Sequence, residues 1–319
     1  MPESVTAMPA YRHLFGPVPS RRFGRSLGVD LVRPKTCSLN CLFCQLGPTP
    51  ATAVDRRADV PLEEVIAELD AWNRAGGQTD FVTLGGSGEP TLHPQFGELL
   101  RWIRDRLPFR SLLLSNGTLF TLEEVRAAAT AADAVKVSLH AWDQASFERL
   151  VRPHPSLRLD AILEGYRRFR SLYRGRLHLE VFVVPGRNDR PEQMARIARL
   201  AASFRPDAVQ LNTLARPPAE ASVTSCPPAV LAALAPLFTP AAEIPNANGA
   251  AAGRPALDGE LPDADAVVAL VRRHPASAEQ LAALGGRTVE ATLATLKGLA
   301  AQQRVRLVRR DDAWFAAPP

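Results

Sequence analysis

Apolar residues along this chain follow two alternating rhythms. Short continuous apolar runs read as strands: SLGVDLV, FVTLGG, SLLLSNG, AVKVSLHA, LHLEVFVVPG and DAVQLN. Each is followed by a longer stretch with apolar residues three and four apart: PLEEVIAELDAW, HPQFGELLRWIRDR, TLEEVRAAATAA, LDAILEGYRRFRSLY, PEQMARIARLAASF and PPAVLAALAPLF. In the first of these helices Leu62, Val65, Ile66 and Leu69 share a face, and Pro61 suits the first turn. In the third, Thr121 and Glu124 have capping-box spacing. Six such units in a row predict an α/β fold with a parallel sheet wrapped by helices. Gly85-Gly86, Asn116, Ser138, Pro185-Gly186 and Asn212 recur at strand C-termini, the edge where barrel-like folds build their sites. A doubly wound open sheet shares this periodicity, which alone does not separate the two.

From about residue 240 the texture changes. TPAAEIPNANGAAAGRPALDGELP has no apolar period and is rich in Pro, Ala, Gly and Asn, so residues 241–261 read as a linker after a domain at 1–240. Residues 262–319 then give three helices and a hairpin: DADAVVALVRRHP, SAEQLAAL with Ser277 and Gln280 at capping-box spacing, RTVEATLATLKGLAAQQ, and RVRLV before AWFAA. That is the winged-helix order.

The chain has 319 residues, 46% of them hydrophobic, enough for one large domain and a small one. Its N-terminal stretch has no apolar core of signal-peptide length, and AVLAALAPLF is too short to span a bilayer, so a cytoplasmic protein with no membrane partner is expected. The net charge of +5 would suit an anionic partner. Yet only Lys35, Lys136 and Lys297 are lysines; the arginines are spread along the chain and read as compositional bias. The third tail helix carries Arg287 and Lys297 against Glu290. The hairpin arginines, Arg304, Arg306, Arg309 and Arg310, are followed by Asp311 and Asp312. This is thin for a phosphate-binding face, and a docking module is expected instead.

Three of the four cysteines, Cys37, Cys41 and Cys44, crowd into KTCSLNCLFCQLG, on a loop just after the first strand. Thiolates this close can converge on a soft metal centre. A structural zinc site needs a fourth ligand, and only the distant His93, His140, His154 and Cys226 are on offer. A [4Fe–4S] cluster held by three thiolates leaves one iron open. The spacing differs from ferredoxin patterns that supply four.

C-x3-C-x2-C with an aromatic residue, Phe43, before the third cysteine resembles the signature of the radical S-adenosylmethionine (radical SAM) superfamily. The resemblance implies a partial TIM barrel of about six β/α units. It implies a [4Fe–4S] cluster on Cys37, Cys41 and Cys44, with S-adenosylmethionine chelating the open iron. LGGSGEPTLHP resembles the superfamily's glycine-rich loop, placing Gly86, Ser87, Gly88 and Glu89 at the methionyl amino group. Glycines permit close backbone approach, and a carboxylate suits an ammonium. Asn116, Ser138, Val184 and Asn212, at later strand ends, fall where the family contacts its cofactor, Val184 offering apolar backbone to adenine. Arg21, Arg22, Arg25 and His140 are candidate substrate contacts; Lys35 could tune the cluster's charge.

Over residues 15–240 the set FGPVPSRRFGRSLGVDL, GSGEPTL, VKVSLHA, VPGRND and LNTLARPP resembles the branch related to wyosine tRNA synthetases. The chain departs from that branch in having no cysteine before Cys37 and in reading Ser138-Leu139-His140-Ala141 where S-L-D-A is common. The resemblance implies reductive cleavage of S-adenosylmethionine to start radical chemistry, fed by a flavodoxin- or ferredoxin-type donor. The substrate, whether peptide, small molecule or tRNA, is not legible. A wyosine-type tRNA-modifying enzyme and a metal-binding winged-helix regulator are the alternatives.

Overall fold

The computed structural model describes residues 11–20, 23–245, 264–310 and 312–319. One seven-stranded sheet carries the first part: β1 (Leu14–Ser20), β2 (Gly24–Val29), β3 (Phe81–Leu84), β4 (Arg110–Leu114), β5 (Ala134–Ser138), β6 (Arg176–Phe182) and β7 (Ala208–Asn212). Their spatial order is their chain order; β1 runs antiparallel to β2 and all later pairs are parallel. This decides between the two topologies. A doubly wound sheet reverses its strand order at a switch point, whereas a barrel adds each strand beside the last. The sheet curls but β1 and β7 do not meet, so it is a half-barrel, the partial TIM barrel that was expected.

Helices α1 (Leu62–Arg74), α2 (Phe96–Arg106), α3 (Glu123–Ala129), α4 (Gln144–Val151), α5 (Leu159–Leu172), α6 (Pro191–Ala202) and α7 (Pro228–Leu234) clothe the outer face. Strand alternation shows what each face buries. On β6, Leu177, Leu179 and Val181 are fully buried under the helices, while His178, Glu180 and Phe182 face the inside of the curl. At the strands' N-terminal edge that inner face is closed by Phe23, Phe81, Leu112 and Ala134. The inner face is therefore apolar at that end and polar towards the C-terminal edge.

Local chemistry accounts for the differences from the sequence reading. Strand β1 escaped notice because Pro17 and Pro19 argue against a strand; it is an edge, where proline is tolerated. Helix α4 also escaped; Asp143 caps it by accepting from Ser146 N at 2.8 Å, with Ser146 Oγ accepting in return from Asp143 N. The Thr121–Glu124 box does not form. A 3-10 turn over Thr118–Thr121 runs first, so Leu122 precedes the helix. The Ser277–Gln280 box does form.

The linker expected at 241–261 begins inside the sheet domain: Glu243 N donates to Val209 O and Leu211 N to Glu243 O, covering the free edge of β7. Residues 246–261 of that segment lie outside the described residues. The chain then forms α8 (Ala264–Arg273), β8 (Ala276–Ser277), α9 (Ala278–Leu284), α10 (Val289–Ala301), β9 (Arg306–Arg310) and β10 (Ala313–Ala317), with strand order β8-β10-β9. Val267, Val268, Val271, Leu281, Leu296 and Leu299 give these elements a core of their own. No helix among the described residues is long and apolar enough to cross a membrane.

Candidate cofactor site at the C-terminal edge of the sheet

Two loops leave neighbouring strands and lock into each other. The first leaves β2 and carries the cysteines; the second leaves β3 and carries Gly85 to Glu89. Lys35 N donates to Ser87 O at 2.7 Å and Glu89 N to Thr36 O at 2.9 Å. The fit requires glycine at 88, where a Cβ would lie 2.1 Å from Thr36 O. Lys35 itself holds a left-handed φ of 63°, a strained state for a side-chain-bearing residue, fixed by bonds at both its ends: Nζ donates to Gly47 O at 2.6 Å.

Cys37, Cys41 and Cys44 are half-buried free thiols on the first loop. Lys35 Nζ lies 3.4 Å from Cys44 Sγ, and Asn116 Nδ2 lies 3.5 Å from Cys37 Sγ and 2.9 Å from Ser38 Oγ. Burial pushes the Cys37 thiol up to about 12, with the Glu89 carboxylate adding to it. Burial likewise holds Cys41 well above a free thiol, reinforced by Cys44 and Cys37 and opposed by Lys35. A metal centre would displace these protons.

The donor set fits a cluster better than zinc. Three thiols on one loop suit a cluster that takes one thiolate per iron and leaves one iron open, whereas a structural zinc site needs a fourth protein ligand. The candidate fourth zinc ligands are engaged elsewhere. His93 Nε2 bonds Val60 O, His140 Nδ1 accepts from Phe182 N, and His154 Nδ1 pairs with Ser156 Oγ. Cys226 is buried near Thr213.

Glu89 is buried and saturated. Its Oε1 accepts from Thr91 N, Thr91 Oγ1 and Ser115 Oγ; Oε2 accepts from Asn116 N at 2.7 Å. Burial still raises its pKa above the usual carboxylate value. The carboxylate thus braces the β3 loop against the end of β4. Tyr166, in α5, does the same one strand on, its OH lying 3.1 Å from Asn116 O and 2.8 Å from Ser138 O.

Phe43 stacks on Phe182 with centroids 4.1 Å apart and meets the His140 ring edge-on at 5.0 Å. Val184 N donates to Asn188 Oδ1, and the fully buried Asn188 amide donates in turn to His140 O and Phe182 O. Asn212 donates to Glu180, which pairs with Lys136 at 3.0 Å inside the curl. Ser138 is half-buried at the end of β5. The cysteines, Phe43, Gly86, Ser87, Gly88, Glu89, Asn116, Ser138, His140, Val184 and Asn212 therefore share one edge. Arg25 does not join them. It lies at the N-terminal start of β2, its N–H on Asp80 Oδ2 at 2.7 Å, at the far end of the strands. Arg21 and Arg22 lie outside the described residues.

Sequence reading passed over Asp30, Ser115, Tyr166 and Asn188. Asp30 could have been flagged as one more polar residue at a strand end; Tyr166 and Asn188 act from a helix and a turn and carry no local signal.

His140 gives a pH prediction. Burial, with Lys136 adding and Glu180 opposing, lowers its value from 6.5 to about 4, so the fold favours the neutral ring. Its contribution to stability is full above pH 6.5 and is lost as pH falls towards 4, about 2 kcal/mol of it by pH 5. Chemical denaturation of metal-free protein at pH 7 and pH 5 measures this, and His140→Gln flattens the difference.

Comparison with known proteins falls on the same region. The sequence model of the radical SAM superfamily matches residues 31–198. A UPF0026 protein of Helicobacter pylori is 40% identical over 208 residues, 64% of this chain and 67% of that protein. A protein of Brachyspira hyodysenteriae named GTPase Obg is 34% identical over 205 residues, 64% of this chain but only 30% of that protein. Among solved structures, a radical SAM methyltransferase from Sphaerobacter thermophilus superposes with a TM-score of 0.51 at 17% identity, over 69% of this chain and 65% of that one; the likeness is one of fold. None of these three is named for wyosine chemistry, so they do not support the narrower likeness.

Proposed function

The chain belongs to the radical SAM superfamily, and on that premise we propose that Cys37, Cys41 and Cys44 hold a [4Fe–4S] cluster beside an S-adenosylmethionine site built on Gly86 to Glu89. The superfamily uses this cluster and this cofactor and needs an external reductant. Bound together, and given one electron from the reductant, they would supply reductive cleavage of S-adenosylmethionine and, through it, hydrogen abstraction from a substrate. The protein's part is to bind, orient and keep water out. The neutral Asn116 amide and the Lys35 ammonium direct hydrogen-bond donors at Cys37 and Cys44, the ammonium offsetting part of the charge that three thiolates would bring. Gly86 and Gly88 let backbone approach the cofactor. Ser138, Val184 and Asn212 complete the wall, and Phe43 against Phe182 seals it. His140, held neutral behind Phe43, serves as a wall residue.

The observation that carries this reading is the interlock of the cysteine loop with the Gly85–Glu89 loop. The inner face of the curl carries Lys136, Glu180 and Gln210, so a polar substrate of unassigned identity is the best match. We also propose residues 264–319 as a winged-helix domain that docks on the barrel, and a flavodoxin- or ferredoxin-type donor. The test is anaerobic: reconstitute with iron and sulfide, add dithionite and S-adenosylmethionine, and assay 5′-deoxyadenosine by mass spectrometry. The expected result is its formation. Iron-loaded protein that binds no S-adenosylmethionine would overturn the reading.

A further inference from the structure

The C-terminal elements meet the barrel at both cofactor loops. Arg216, in the loop after β7, donates Nη1 to Gln45 Oε1 beside Cys44, and its Nε and Nη2 reach Pro275 O and His274 Nε2, just after α8. Arg310, at the end of β9, returns bonds to Arg216 O and Ser225 Oγ. The most telling contact is Arg273, the last residue of α8. Its Nε meets Asp30 Oδ2 at 2.5 Å, and its Nη2 donates to Arg12 O. The side chains of this ion pair are only 16% and 7% exposed, against 72% and 47% for a surface pair such as Arg74–Asp70.

Asp30 is also what holds the glycine-rich loop. Its Oδ1 accepts from Ser87 N at 2.7 Å and its Oδ2 from Ser87 Oγ at 2.9 Å. A Cβ on the preceding Gly86 would sit 2.3 Å from Asp30 Oδ1, so the loop is moulded around this carboxylate. Asp30 N is anchored in turn on His13 O. One carboxylate thus joins a residue some 240 positions downstream to the loop beside the cysteines.

We propose that Arg273 and Asp30 are positioning residues for the S-adenosylmethionine loop: the docked C-terminal domain sets that loop through the Arg273–Asp30–Ser87 chain. The inference rests on the reading of residues 86–89 as the cofactor loop. The physics is that of a buried pair. Such a pair adds little net stability, but removing one partner leaves the other charge buried with its field unopposed. Asp30 then moves towards water, and Ser87 moves with it. Docking of the domain, or a ligand that alters the docking, would therefore be read as cofactor affinity.

The test uses the full chain. Arg273→Met is expected to keep its cluster iron but to bind S-adenosylmethionine at least about tenfold more weakly, a fraction of the full cost of truncating one member of a buried pair, because the effect reaches the cofactor through Ser87. Arg273→Lys, which can still place an ammonium on Asp30 Oδ2, recovers most of that affinity. Asp30→Asn weakens binding too, and combining it with Arg273→Met adds less than the sum, because both break one chain. In metal-free protein, hydrogen–deuterium exchange at the Ser87 amide speeds up in Arg273→Met. Thermal melting and iron content identify any variant that fails to fold, in which case Arg273→Lys and the Ser87 exchange decide. Wild-type affinity and wild-type Ser87 exchange in the folded Arg273 variants would overturn the proposal. If cluster-loaded wild-type protein binds no S-adenosylmethionine, the loop assignment falls and takes the inference with it; the amide exchange, which needs no cofactor, tells that failure from a failure of the Arg273 chain.

Discussion

Replacing Cys41 with alanine is expected to abolish both iron–sulfur assembly and 5′-deoxyadenosine formation. The loop offers three thiols, and the other candidate ligands are committed elsewhere: His93, His140 and His154 to Val60, Phe182 and Ser156, and Glu89 to Thr91, Ser115 and Asn116. With two thiolates left, the cluster would have no stable seat, and turnover should fall by at least about a hundredfold, since losing even an outer-shell partner of a metal ligand costs about 10–100-fold. The metal-free fold changes little. Cys41 is only half-buried, and losing one sulfur from such a position costs about 1 kcal/mol or less. Cys226→Ala is the control. It is the most buried of the four cysteines, packed in the main core, with its thiol raised by burial to about 11, so its loss costs stability but no iron. Iron analysis, near-ultraviolet and visible absorbance, and mass spectrometry on the two variants check the pair of outcomes. Iron lost from Cys226→Ala and kept by Cys41→Ala would reverse the assignment.

The parts of this protein that were legible in its sequence are those written locally. Six apolar runs with helical stretches between them predict a wrapped parallel sheet, because side-chain period follows directly from backbone geometry. The cysteine triplet and Gly86 to Glu89 are contiguous, so the loops that carry the cofactor reading could be named. What was not legible depends on contacts across long separations. Periodicity does not encode strand order, so it left half-barrel and doubly wound sheet open; it was the resemblance carried by the cysteine and glycine-rich loops that named the partial barrel. Arg25 looked like a neighbour of the cluster because it is twelve positions from Cys37 in the chain. It lies at the opposite end of β2, one strand-length from the loop. Strand β1 was hidden by prolines that an edge tolerates. Asp30, Tyr166 and Asn188 are single polar residues whose roles appear only when the partners they brace, Ser87, Ser138 and His140, come into reach.

Glu89→Ala is expected to damage the fold and the cofactor site together. The carboxylate accepts four bonds, from Thr91 N, Thr91 Oγ1, Ser115 Oγ and Asn116 N. Its residue is buried, so alanine leaves these donors without acceptors and out of reach of water. Each stranded donor costs about 1–3 kcal/mol, and partial relaxation brings the total to about 3 kcal/mol or more. The damage spreads to the cysteines, because Asn116, whose N–H Glu89 holds, also aims Nδ2 at Cys37 Sγ and Ser38 Oγ. Glutamine is milder. Its amide oxygen can keep the Thr91 and Ser115 bonds, but its NH2 then faces the Asn116 N–H. Against that loss stands a gain: burial disfavours the ionised carboxylate, as the raised pKa of Glu89 records, and a neutral amide avoids that cost. Glu89→Gln therefore loses about 1–2 kcal/mol, less than alanine. Urea denaturation of the metal-free variants gives the order wild type, glutamine, alanine. S-adenosylmethionine affinity of the reconstituted proteins should fall in the same order, and further for both, since a methionyl ammonium prefers a carboxylate to an amide. Unaltered denaturation of Glu89→Ala would mean that the carboxylate is not the brace; unaltered cofactor affinity in a destabilised Glu89→Gln would mean that it is the brace and nothing more.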